Sequence, residues 1–134
     1  MQINIDSASA SQNQTMRLRV SGADNSTSNY YWSGYYNASN STSLVGEGAG
    51  AQTSFEYGYM NSTSSSGLWT INIANPFATL ITTYRNNGVR WDTTGSQLYG
   101  NAGVFNQTTS FTGLTIFPVS GTITGTIKVY GMNE

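Results

Sequence analysis

The side chains best suited to chemistry in this sequence are aromatic, and they stand close together. Five rings fall within one short segment, at Tyr30, Tyr31, Trp32, Tyr35 and Tyr36. Tyr and Trp combine a large apolar face with a polar tip, so they are favoured in carbohydrate platforms and in protein interfaces. We predict that these five residues form a ligand-binding or partner-binding site. In any β-sandwich about half of the rings must point into the core.

Side chains for acid–base or metal chemistry are sparse. The chain contains neither His nor Cys, which excludes Ser-His-Asp and Cys-His catalysis and argues against a zinc site. A glycosidase needs two carboxyl groups that converge on one cleft. The pair Glu56 and Asp92 is open to that interpretation, but solvated charges on strand faces are favoured. We therefore predict no enzymatic activity, no cofactor and no metal.

One polar segment has the composition of a calcium loop. The run from Asp24 to Thr27 offers several oxygen ligands. It lacks the regular acidic positions and the closing Glu of an EF-hand loop. The sequence therefore favours an Asx turn at this point.

The overall composition limits the possible partners. The net charge is −1 and only 8% of residues are charged, so the clustered cations of a nucleic-acid binder are missing. No apolar run is long enough to cross a membrane, and we expect neither nucleic acid nor membrane as a partner. Ser, Thr, Asn and Gly make up about half of the 134 residues, yet 13% are aromatic, which favours a folded chain. We predict a single domain over residues 1–134.

Period-two alternation of apolar and polar residues places this domain in the all-β class. It recurs in short bursts, for example at Ile3 and Ile5, at Met16 and Leu18, and from Trp69 to Ile73. About eight strands, with no substantial helix, predict a jelly-roll-like antiparallel β-sandwich.

Four local predictions concern individual segments of the chain. The stretch from Asn37 to Gln52 is rich in Gly and Ser and predicts a long surface loop. The run from Asn86 to Gly88 carries the Asn-Gly signal of a tight hairpin turn. Alternation from Phe55 to Tyr59 predicts that the rings lie on one strand face and Glu56 on the other. Gly34 suggests a bulge or a close approach of the backbone.

A resemblance to a known family rests on several segments in a fixed order. They are Met16 to Gly22, Tyr30 to Trp32, Asn75 to Phe77, Thr109 to Phe111, Leu114 to Pro118 and Gly121 to Gly131. These segments resemble small jelly-roll domains of tailed-bacteriophage virion proteins, which occur in head decoration or cement proteins, head fibres and tail-fibre modules. The resemblance spans most of the chain and implies no enzyme.

What the resemblance implies is a role on the outer surface of the virion. We expect a capsid decoration protein that begins at Met1 without a shaft, forms a homotrimer, and stabilises the shell by binding the major capsid protein or another virion protein. The alternative is a fibre or receptor-binding tip that recognises host-surface glycans through the rings from Tyr30 to Tyr36. Hydrolase action ranks third.

The same resemblance makes a prediction about the first strand. Domains of this kind often have one more strand before the segment that matches Ile3 to Ile5. We therefore expect a sheet edge to be exposed here, and a neighbouring subunit or the shell to cover it.

Overall fold

The computed structural model describes residues 1–37, 41–62, 66–93 and 95–131, apart from the side chain of residue 92. These residues form eleven strands where about eight were expected, and no helix occurs among them. The strands are β1 (Gln2–Ala8), β2 (Gln12–Val20), β3 (Ala23–Asp24), β4 (Tyr30–Asn37), β5 (Leu44–Gln52), β6 (Phe55–Met60), β7 (Ser66–Ala74), β8 (Thr82–Asp92), β9 (Gly95–Phe105), β10 (Gly113–Pro118) and β11 (Ile123–Lys128).

The strands form two antiparallel sheets of unequal width that pack face to face. The large sheet has the order β11-β1-β7-β8-β9-β4-β5, and the small sheet contains β10, β2 and β3, with β6 also paired to β2. The predicted antiparallel β-sandwich is confirmed. None of the described residues belongs to a helix that is long and apolar enough to cross a membrane.

The core lies between the sheets and is built by the predicted alternation. Ile3, Ile5, Met16 and Leu18 are all buried, and the intervening residues are more exposed. Aromatic rings fill much of the remaining space through edge-on contacts, as between Tyr30 and Phe55.

Trp69 is the largest fully buried side chain, and glycines make room for it. A Cβ atom added at Gly58, Gly67 or Gly88 would approach the indole ring more closely than 3.0 Å. Gly58 belongs to the small sheet and the other two belong to the large sheet. The indole therefore occupies a slot between the sheets in which these three positions have no room for a side chain.

This slot explains why the predicted hairpin at Asn86 to Gly88 is wrong. The segment lies in the middle of β8, where Gly88 pairs with Trp69 of β7 and Asn86 pairs with Asn101 of β9. Gly88 is required here for space and not for a turn. The actual reversal between β8 and β9 comes at Gly95, whose φ of 127° favours glycine.

The predicted loop over Asn37 to Gln52 is also wrong in its second half. Residues Leu44–Gln52 form β5, which pairs with β4. Glycine alternates with other residues from Gly46 to Gly50, and a ring of β4 covers the last of these glycines. A Cβ atom at Gly50 would lie 3.0 Å from the Tyr31 ring.

The expected exposed edge at the first strand is wrong as well. Strand β1 pairs with β11 on one side and with β7 on the other, so Ile3 and Ile5 lie inside the sheet. The C-terminal strand β11 supplies the missing neighbour and is itself the edge of the large sheet, with β5 at the opposite edge.

Replacing Gly88 by Ala tests the slot around Trp69. The added methyl group must displace a rigid buried ring, so we expect the free energy of unfolding to fall by about 1–3 kcal/mol. Gly46→Ala is the matched control, because this strand glycine has no atom within 4 Å of an added Cβ. Its effect should stay within about 0.5 kcal/mol. Urea unfolding followed by circular dichroism measures both, and equal effects would contradict the slot.

Candidate functional site

The predicted aromatic strand exists, and its rings divide between the two faces of the large sheet. Strand β4 carries Tyr30, Trp32 and Tyr36 on the inner face and Tyr31 and Tyr35 on the outer face. Tyr30 is fully buried, and its hydroxyl donates to the Asn25 carbonyl at 2.7 Å. It is a core residue without surface for a ligand.

The outer rings of β4 lie over glycines of the neighbouring strands. Tyr31 covers Gly50 of β5, and Tyr35 covers Gly100 of β9. The predicted close approach at Gly34 is confirmed, because a Cβ there would lie too close to the Gly100 carbonyl and to Asn101. Tyr31 and Tyr35 therefore pack against backbone on a flat outer face.

The inner rings Trp32 and Tyr36 open onto a groove, because the small sheet is too narrow to cover the whole large sheet. Ile3 and Ile5 of β1 and Trp69 and Ile71 of β7 are fully buried on the inner face. Trp32, Tyr36 and Glu47 of β4 and β5 are only half-buried. The groove has a volume of about 540 Å³. It is lined by Asn13, Trp32, Tyr36, Glu47, Gly48, Glu56, Tyr59, Arg90, Gln97 and Tyr99.

A β-bulge brings two of these lining residues together. Glu56 pairs with Thr15 and Tyr59 pairs with Asn13 on β2, and the register shifts between the two pairs. Tyr57 is the extra residue. Residues three apart on a regular strand lie on opposite faces, so the prediction that Glu56 and Tyr59 are separated is wrong.

The aromatic groups of the groove come from three strands. Tyr36 stacks on Tyr99 of β9, with ring centroids 5.9 Å apart and an angle of 24° between the planes. Tyr59 of β6 lies beneath the Arg90 guanidinium, whose carbon is 5.1 Å from the ring centroid. Together with Trp32 they give the groove four rings, which is more than the aromatic strand supplies alone.

Two carboxyl groups line the groove, Glu47 from β5 and Glu56 from β6. Burial raises the pKa of Glu56 to about 7, the charge of Glu47 adds to this rise, and a hydrogen bond from Asn13 opposes it. That bond runs from Asn13 Nδ2 to Glu56 Oε2 at 2.8 Å. Burial also raises the pKa of Glu47, against a hydrogen bond from Asn101.

The other polar residues weighed from the sequence are not part of this groove. The side chain of Asp92, the suggested partner of Glu56, lies outside the described residues. The predicted Asx turn is confirmed, because Asn25 Oδ1 accepts the backbone N–H of Thr27 at 3.1 Å. Asp24 is paired with Arg19 at 3.4 Å. Within the described part of the chain, no three acidic residues lie together as a metal site would require.

Sequence reasoning missed the groove residues that lie outside the aromatic strand. Glu47 stood in a presumed loop, although the regular alternation of Gly46, Gly48 and Gly50 is a period-two signal for a strand. Arg90 belongs to β8, which the false turn at Asn86 to Gly88 had divided, and Tyr99 belongs to β9, whose first part was interpreted as a weak stretch containing a loop. The bulge at Tyr57 has no signal that we can identify in the sequence.

Comparison with protein-family models, with curated proteins and with solved structures finds no match to this chain. The function is therefore inferred from the groove and from the outer face of the large sheet.

The raised pKa of Glu56 predicts that stability depends on pH. The folded protein keeps this proton up to about pH 7, whereas the unfolded chain loses it near pH 4.5. The stabilisation is complete below pH 4.5 and is lost as the pH rises to 7. Because the carboxyl is partly exposed, water screens the effect, and we expect a loss of about 1–2 kcal/mol.

Urea unfolding between pH 5 and pH 8 measures this dependence. Glu56→Gln should flatten the curve, whereas Asp6→Asn, on the exposed part of β1, should leave it unchanged. A curve that keeps its slope in Glu56→Gln would contradict the assignment.

Proposed function

We propose that this protein is a non-enzymatic carbohydrate-binding protein of the tailed-phage virion surface, and that it recognises host-surface glycans through the groove. The observation that carries the proposal is the convergence of four aromatic side chains with amide and carboxyl groups in one open groove. Sugar rings present apolar faces that pack on aromatic rings and hydroxyl groups that need directional partners. The groove offers both kinds of contact.

The form of the groove also supports an extended ligand. It runs between β6 and the inner face of β4 and β5, and its lining residues come from both sheets. The stacked pair Tyr36 and Tyr99 is held in the sandwich on rigid strands, so little conformational entropy is lost when a ligand binds.

The virion location rests on the resemblance of the chain to phage virion domains. The composition supports it, since hydroxyl and amide side chains with few charges suit a permanently exposed coat. The carboxyl pair Glu47 and Glu56 could also suggest hydrolysis, but the same groups serve as acceptors for sugar hydroxyls, and the resemblance implies no enzyme.

Two adjacent tyrosines of β4 provide a matched test. Tyr36 faces the groove and Tyr35 lies on the opposite face of the same strand. On a glycan array probed with the protein at high multivalency, Tyr36→Ala should weaken binding by roughly tenfold, since loss of a hot-spot ring typically costs more than 1 kcal/mol. Tyr35→Ala should bind as the unmodified protein does. An array on which the unmodified protein stays blank would overturn the proposal.

A second candidate function, capsid decoration, is favoured by the outer face of the large sheet. Leu68, Val89 and Leu98 form a row across three neighbouring strands, and Trp91 lies two residues beyond Val89. Leu98 and Trp91 are each 55% exposed. A contiguous apolar patch of this kind marks a protein-interaction surface. As a decoration protein, the chain would assemble as a trimer and bind the major capsid protein or another virion protein.

The location of the protein on intact particles separates the two candidates. Cryo-electron microscopy of the phage that encodes the chain would place a decoration protein at regular positions over the head. A glycan-binding tip would instead appear at the end of a fibre. Trimers in analytical ultracentrifugation that become monomers in Leu98→Asp would support self-association through the outer face.

A further inference from the structure

Carboxyl groups outnumber cations among the side chains that line the groove. Glu47 and Glu56 approach from opposite walls, and the one cation among the lining residues is Arg90. Arg90 is only 4% exposed, and its guanidinium lies against the ring of Tyr59. A ligand in the groove therefore meets two carboxyl groups and one cation that is largely covered by protein.

Several hydrogen-bond donors of the groove are already engaged within the protein. The amide nitrogen of Asn13 donates to Glu56 Oε2 at 2.8 Å. The hydroxyl of Tyr99 donates to Gln97 Oε1 at 2.7 Å. Each carboxylate can accept several hydrogen bonds, so Glu47 and Glu56 offer acceptors for the hydroxyl groups of a ligand.

The surroundings also disfavour further negative charge. Burial raises the pKa of both carboxyl groups, and their mutual repulsion adds to the rise for Glu56. Above about pH 7, where Glu56 is ionised, an acidic sugar placed between the two groups would add a further negative charge in the same poorly solvated space. A neutral sugar would instead donate hydroxyl groups to the acceptors.

We infer that Glu47 and Glu56 make the groove selective for uncharged glycans and exclude glycans that carry uronic or sialic acid. This inference rests on the proposed carbohydrate-binding function and names its ligand class. Like charges across an interface act mainly on specificity, because they penalise the wrong partner more than they strengthen the right one.

The test is a glycan array that carries matched pairs differing in charge. One pair is an oligosaccharide of β-1,4-linked glucose and its β-1,4-linked glucuronate counterpart. The other pair is an N-acetyllactosamine chain with and without terminal sialic acid. For every pair that binds, we expect the binding signal of the neutral glycan to exceed that of its acidic counterpart by roughly tenfold or more at pH 8 and low salt.

Isosteric variants assign the selectivity to the two carboxyl groups. The double variant Glu47→Gln and Glu56→Gln keeps the shape of the groove and removes the negative charge of both groups. Acidic glycans should then bind more tightly, and the preference for neutral over acidic glycans should fall below about threefold. Asp6→Asn, which lies away from the groove, is the control and should keep the full preference.

The outcomes separate the two proposals. If the unmodified protein binds acidic glycans as tightly as neutral ones, the proposed selectivity is wrong. The proposed carbohydrate-binding function is then still supported. A preference that persists in the double variant also overturns the assignment to Glu47 and Glu56. An array with no bound glycan of either kind overturns both proposals.

Discussion

One tryptophan, packed between glycines of both sheets, sets how closely the two sheets can approach each other. Trp69 fills the space between the sheets, and Gly58 of β6 can lie against it only because it has no side chain. Gly58 stands between Glu56 and Tyr59, which both line the groove. The contact that holds the two sheets together therefore also fixes the position of one wall of the candidate site.

The unequal width of the sheets then creates the groove. A large sheet of seven strands faces a narrower one, so the inner rings of β4 are left partly uncovered beside β6. The outer face of the large sheet carries the apolar row around Leu98 on β7, β8 and β9. The two candidate surfaces lie on opposite sides of one sheet, so a domain of this form can dock through one side and present the groove on the other.

The sequence predicted the parts of the fold that follow from alternation, and it failed where glycine has a packing role. The core positions Ile3, Met16 and Trp69 follow directly from period two. Gly88 was interpreted as a turn residue, because its real partner, the indole of Trp69, is distant in sequence. Of the site, the aromatic strand could be predicted, but Glu56 and Tyr59 could not, because a bulge reverses their expected faces.

Binding of carbohydrate in the groove can be followed directly through the three tryptophans of the chain. Trp32 lines the groove, Trp69 is buried in the core and Trp91 is exposed on the outer face. In a ¹⁵N-labelled sample titrated with the neutral oligosaccharide that binds best, we expect the indole N–H resonance of Trp32 to shift while the other two remain in place. A shift of Trp91 with Trp32 unchanged would contradict carbohydrate binding in the groove.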